Sequence, residues 1–104
     1  MKKKLAIIGA GIAGLTLANF INKNSEHEFM LYEKNESLSL DEGYGIQLST
    51  NSTKILNKIG FNKVNNEKIF YPKGVEFYNI QSKKICDLNL EQFNSQENKY
   101  TTLQ

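Results

Sequence analysis

The sequence predicts an α/β chain that opens on a parallel strand–helix–strand unit and continues into a second helix and a β-hairpin. Three observations predict it. A short apolar run, residues 5–8, ends at a glycine-rich turn. An amphipathic stretch leads from that turn to a second apolar run, residues 28–33. Farther on, two β-prone runs flank Gln81-Ser82-Lys83, a spacing that suits a hairpin.

Leu5-Ala6-Ile7-Ile8 is apolar at every position, as expected of a parallel strand buried on both faces. Residues 13–23 then read as a helix. Leu15, Ala18 and Ile21 lie three apart, and Leu17 lies four before Ile21, which places an apolar stripe along one side. Asn22-Lys23-Asn24-Ser25 closes it, and Glu28-Phe29-Met30-Leu31-Tyr32-Glu33 supplies the second strand. The two strands should run parallel with a right-handed crossover. Residues 34–45 read as a loop. A helix is expected over residues 51–59, capped by Ser49 or Thr50 and stopped by Gly60, with Ile55, Leu56 and Ile59 on its apolar side. Residues 75–80 and 84–90 form the expected hairpin, with Cys86 as a small buried side chain. Residues 91–104 are mostly polar and carry no predicted element.

The 104 residues suffice for one domain with a modest core. Hydrophobic residues at 39% and charged residues at 23% fit a globular chain rather than a disordered tail. Net charge is +2, and all 13 basic residues are lysines scattered along the chain, so no basic strip points to nucleic acid. One cysteine and one histidine, Cys86 and His27, build neither an intrachain disulfide nor a metal site. The usage is compatible with a cytoplasmic protein. Lys2, Lys3 and Lys4 precede seventeen uncharged residues, a pattern shared with signal peptides and close to a membrane span. The three glycines inside that stretch have a better explanation.

Gly9-x-Gly11-x-x-Gly14 follows a strand and opens a helix. Gly9 permits the tight turn, Gly11 lets backbone approach a pyrophosphate, and Gly14 lets the helix pack on the sheet. The helix N-terminus then presents free N–H groups and partial positive charge to phosphates. Glu33 lies nineteen residues beyond Gly14, where a carboxylate can accept hydrogen bonds from ribose hydroxyls and would repel a 2′-phosphate. The fold class is therefore a partial Rossmann-like, FAD- or NAD(P)-binding βαβ unit with a following helix and β-hairpin.

The chain also resembles the single-component flavoprotein monooxygenases that hydroxylate aromatic rings, such as salicylate hydroxylase and the ubiquinone-biosynthesis hydroxylases. The likeness rests on residues 7–18, on Leu31-Tyr32-Glu33-Lys34, and on Gly43-Tyr44-Gly45-Ile46-Gln47-Leu48 with Asn51 and Leu56-x-x-Ile59-Gly60. It implies FAD as cofactor, NAD(P)H as co-substrate, oxygen, and a small aromatic or similar substrate. It places Ile12, Ala13 and Gly14 against the FAD pyrophosphate, next to the cofactor-binding Gly9 and Gly11 of the motif, with Glu33 on the ribose, Lys34 beside the adenine and Gln47 against the cofactor. No residue here is nominated as catalytic, because the flavin carries the chemistry. Tyr44, Tyr71 and Tyr78 read as core or rim aromatics and His27 as solvated.

Two departures stand out. Asn24-Ser25-Glu26-His27 replaces the glycine usual before the second strand, and the family's later Asp-Gly and Gly-Asp motifs are absent. The resemblance thus implies the N-terminal portion of an FAD-binding domain over residues 1–104, inactive alone, with an exposed sheet edge open to association. Other readings are a non-catalytic dinucleotide-binding module and a piece of a related halogenase, reductase or cyclase.

Overall fold

A computed structural model of the chain describes residues 1–38 and 45–103. The chain divides into two compact units, residues 1–42 and 43–104, and each is described by itself. Gly43 and Tyr44, part of the stretch on which the resemblance rests, lie outside the described residues.

The first unit is the predicted strand–helix–strand. Strand β1, Lys4–Ile8, pairs in parallel with β2, Glu28–Tyr32, in the register Leu5 to Phe29 and Ile7 to Leu31. Helix α1, Ile12–Asn24, connects them. Ile7, Ala18 and Ile21 are buried together, with Leu5, Phe29 and Leu31 packed around them. This is the apolar stripe of α1 laid on one face of the strand pair.

Two expectations need correction here. β1 is not buried on both faces: Ile8 is 79% exposed, and Met30 on the same face of β2 is 63% exposed. Side chains alternate across a strand, and α1 covers only the face that carries Leu5 and Ile7. Leu17 is likewise exposed, because its place on the helix turns it away from the Ala18–Ile21 line. Ser25 closes α1, its backbone N–H and its hydroxyl both donating to the Ile21 carbonyl.

The second unit contains two separate sheets. β3, Ile46–Leu48, and β4, Ile69–Phe70, flank β7, Thr101–Leu103, and both pair antiparallel with it. None of these three strands was expected. The mostly polar segment 91–104 thus supplies the central strand, and Thr101 is the most buried side chain in the unit, its hydroxyl donating to the Lys99 carbonyl at 2.8 Å.

Helix α2, Thr50–Asn57, begins where predicted, with Ser49 at its N-cap position. The Ser49 hydroxyl engages Asn51 and Ser52 rather than a backbone N–H. Looser turns extend the helix to Gly60, where φ is +103°. Glycine reaches that left-handed region without the steric penalty of a Cβ. Thr53 is the buried residue of α2, whereas Ile55 is exposed.

The hairpin pairs β5, Gly74–Tyr78, with β6, Lys84–Asn89. Ser82 takes φ +60° in the turn, and Asn79 caps it by accepting the N–H groups of Gln81 and Lys83. Cys86 opposes Phe77 and is exposed, contrary to expectation. A two-stranded hairpin has two faces and no interior of its own, so the apolar character of Cys86 and its neighbours does not bury them. On the other face Lys84 joins Glu76 across the strands at 2.9 Å and Asp87 at 2.8 Å.

Candidate functional site: the glycine turn and the end of the second strand

The site is built where β1 gives way to α1. Gly9 adopts φ +100° and its N–H donates to the Tyr32 carbonyl at 2.7 Å. The turn is thereby tied to the end of β2. A Cβ on Gly14 would lie 1.9 Å from the Gly9 carbonyl oxygen and 3.4 Å from Ile7 Cγ2. Only glycine at position 14 lets α1 start this close to the turn and its strand.

Gly11 differs. It is the N-cap of α1, with ordinary φ of −73°, and a Cβ built on it meets nothing within 4 Å. The fold itself does not require glycine there. No side chain caps α1, and its first turn holds no acidic residue. The first N–H groups of a helix lack intrahelical acceptors, and the helix dipole favours negative charge at that spot.

Glu33 follows β2 directly. Its Oε2 accepts the Ala10 N–H at 2.8 Å and its Oε1 accepts the Asn35 N–H at 3.0 Å. These bonds, Ala10's first, hold the carboxyl below the usual carboxylate range, since donors to the charged form favour it. Lys34 is exposed beside it, and its N–H and charge act in the same direction. Ile12 projects outward at 62% exposure, and Ala10 is buried.

The structure thus brings Gly9, Gly11, Ile12, Ala13, Gly14, Glu33 and Lys34 into one strand–turn–helix–strand unit. Gln47 belongs to the other unit, in β3 opposite Thr102, with its side chain exposed. Sequence spacing missed the roles of Ala10, Tyr32 and Asn35, which act through backbone groups and leave no signature in residue type. The second unit has a cavity of about 160 Å³ lined in part by Thr53, Asn57, Tyr71 and Lys99, where the Lys99 ammonium lies 5.3 Å from the Tyr71 ring centre. None of the predicted site residues lines it.

The residues present fit a dinucleotide. An open backbone at Gly11, an uncapped helix start and a strand-end carboxylate are the donors, space and acceptor that pyrophosphate and ribose need. The first unit has the form of a Rossmann-like strand–turn–helix–strand. Residues 7–41 match the family model described as an NAD(P)-binding Rossmann-like domain. The chain is also similar to proteins named as flavin enzymes. It is 29% identical over 92 residues to the FAD-dependent monooxygenase subE of Metarhizium robertsii, covering 81% of this chain and 28% of that protein. It is 33% identical over 85 residues to the FAD-dependent monooxygenase anuJ of Penicillium roqueforti, covering 81% and 9%. A 59-residue stretch, 57% of the chain, is 41% identical to 3-amino-4-hydroxybenzoate 2-monooxygenase PtnB3 of Streptomyces platensis, spanning 14% of that enzyme. The chain therefore spans less than a third of the length of these relatives. Among the described residues no helix is long and apolar enough to cross a membrane, and no cluster of His, Cys, Asp and Glu could hold a metal ion.

Proposed function

We propose that this chain is the FAD-anchoring portion of a flavoprotein monooxygenase, residues 1–104 forming the N-terminal part of its FAD-binding domain. The observation that carries the reading is Gly11: a glycine that the fold does not need, set at an uncapped helix start, in a chain similar to proteins named FAD-dependent monooxygenases. The backbone at Gly11, Ile12 and Ala13 meets the pyrophosphate. Gly9 and Gly14 shape the turn that presents it. Glu33 accepts the ribose hydroxyls, Lys34 flanks the adenine, and Gln47 is assigned a cofactor contact.

When bound, FAD would supply the redox chemistry by which NAD(P)H and oxygen hydroxylate a small aromatic or similar substrate. The chain's own contribution is binding and orientation, and no side chain here is assigned a proton transfer. The enzyme is placed in the cytoplasm, where its reduced nicotinamide co-substrate is available. The open edge of β1, which pairs only with β2 among the described residues, is a place for further strands or another polypeptide to add.

Flavin titration of the purified chain, followed by fluorescence, tests the binding step. Saturable FAD binding that is lost in Gly11→Val supports the reading. Absence of binding, or equal binding by the variant, overturns it. For the whole protein, FAD- and substrate-dependent oxidation of NADH or NADPH with oxygen uptake is the corresponding assay.

A further inference from the structure

The carboxylate of Glu33 has both oxygens engaged by backbone N–H groups, one from the glycine turn and one from the residues just after β2. Oε2 takes Ala10, inside the glycine turn, and Oε1 takes Asn35, just past the end of β2. Among the described residues, the only other strap from the turn to this strand end is the bond from Gly9 N–H to Tyr32 O. Ala10 is buried, so its N–H has little access to water, and a buried N–H without a partner is costly. Each carboxylate oxygen accepts more than one hydrogen bond.

We propose that Glu33 is a positioning residue as well as a ribose acceptor: its carboxylate clamps the glycine turn to the end of β2 before any nucleotide binds. The clamp takes the Ala10 N–H out of the set of phosphate donors and leaves the N–H groups from Gly11 onward to face the anion. The remaining lone pairs of the same two oxygens stay open to a vicinal diol. One side chain thereby fixes the distance between the phosphate seat and the ribose seat. Both partners of the clamp are main-chain groups, so it depends on the carboxylate alone. The clamp itself does not rest on FAD being the ligand, whereas its role in spacing the two seats rests on the function proposed above.

The test uses the nucleotide-free chain. Ionisation of a carboxylate moves the resonance of an amide proton bonded to it. Lys34 is the charged neighbour that acts on Glu33. In a titration followed by NMR, the Ala10 and Asn35 amide protons and the Glu33 carboxyl carbon should shift together, with one midpoint below the ordinary glutamate value. In Glu33→Gln the Ala10 and Asn35 amides should no longer titrate. An Ala10 amide that stays flat in the wild-type chain, or a midpoint different from that of the Glu33 carboxyl carbon, overturns the clamp and needs no variant to be folded. An Ala10 titration that persists in Glu33→Gln overturns it as well. Adding FAD afterwards separates the two ideas. A clamp that titrates as described in a chain that binds no flavin leaves the clamp standing and removes the FAD reading.

Discussion

The carbonyl oxygen of Gly9 occupies the place where residue 14 would carry its Cβ, 1.9 Å from the ideal position of that atom. A methyl group cannot share that space with a backbone oxygen. Gly14→Ala must therefore push α1 off the turn or open the turn itself. Overpacking of this kind costs about 1–3 kcal/mol. Urea unfolding of the variant should show a lower midpoint, with the loss concentrated in amides of β1, α1 and β2 by hydrogen exchange.

Gly11→Val separates ligand from fold. Its Cβ enters open space, so the stability change should stay near the ~1 kcal/mol that an unfavourable N-cap residue costs. Flavin affinity should fall far more, by at least about tenfold, or ~1.4 kcal/mol of binding free energy. Titration calorimetry and thermal melting on the same sample check the contrast. A variant that melts like wild type and binds FAD equally would contradict it.

In the hairpin, the Tyr78 hydroxyl donates to Glu76 Oε2 at 2.6 Å. This bond, and then Lys84, lowers the Glu76 carboxyl, and Glu76 in turn raises the Tyr78 phenol. A depressed carboxylate stabilises above its unfolded value, and that contribution is lost as pH falls through the folded one. Lys84 is raised by Asp87 and Glu76, so its share is complete below the ordinary lysine value and is lost only as pH rises through its folded one. The pairing therefore spans neutral pH and loosens at both extremes. Glu76→Gln should bring the Tyr78 titration down toward that of a free phenol, read from its ring carbon shifts, and a titration unmoved by the substitution would refute the coupling.

β3 and β4 share β7 as their strand partner. Removing residues 101–104 should dissolve this sheet while leaving the βαβ unit intact. Loss of hydrogen-exchange protection at Ile46–Leu48 and Ile69–Phe70, with protection kept across β1 and β2, is the expected pattern. Protection retained at β3 would show that β7 is not what holds it.

The first unit was legible because its signals are redundant. Glycine spacing, the Leu15, Ala18 and Ile21 stripe and the strand-end acid each point to one arrangement. Gly60 likewise marked the end of α2 by the backbone it must adopt. The short strands were not legible. Two or three residues show no alternation, and Thr101-Thr102-Leu103 looks like polar tail until two strands flank it. Cys86, Ile8 and Leu17 misled for one shared reason: apolar character tells which residues favour burial, not which face finds a neighbour. In the candidate site, residue types singled out the glycines and Glu33 as candidates, whereas the Ala10, Tyr32 and Asn35 contacts belong to the main chain.

The uncapped start of α1 makes folding and occupancy one thermodynamic system. A helix that supplies its own cap gains about 1 kcal/mol whatever surrounds it; this one, with no side chain over its first N–H groups, leaves that gain to whichever anion arrives. A ligand that binds only the folded chain stabilises it in proportion to the logarithm of its concentration, by about 2.7 kcal/mol at a hundred times its dissociation constant. With the ligand proposed above, the population of folded first unit, and with it the protein's resistance to proteolysis, follows the supply of free dinucleotide in its surroundings.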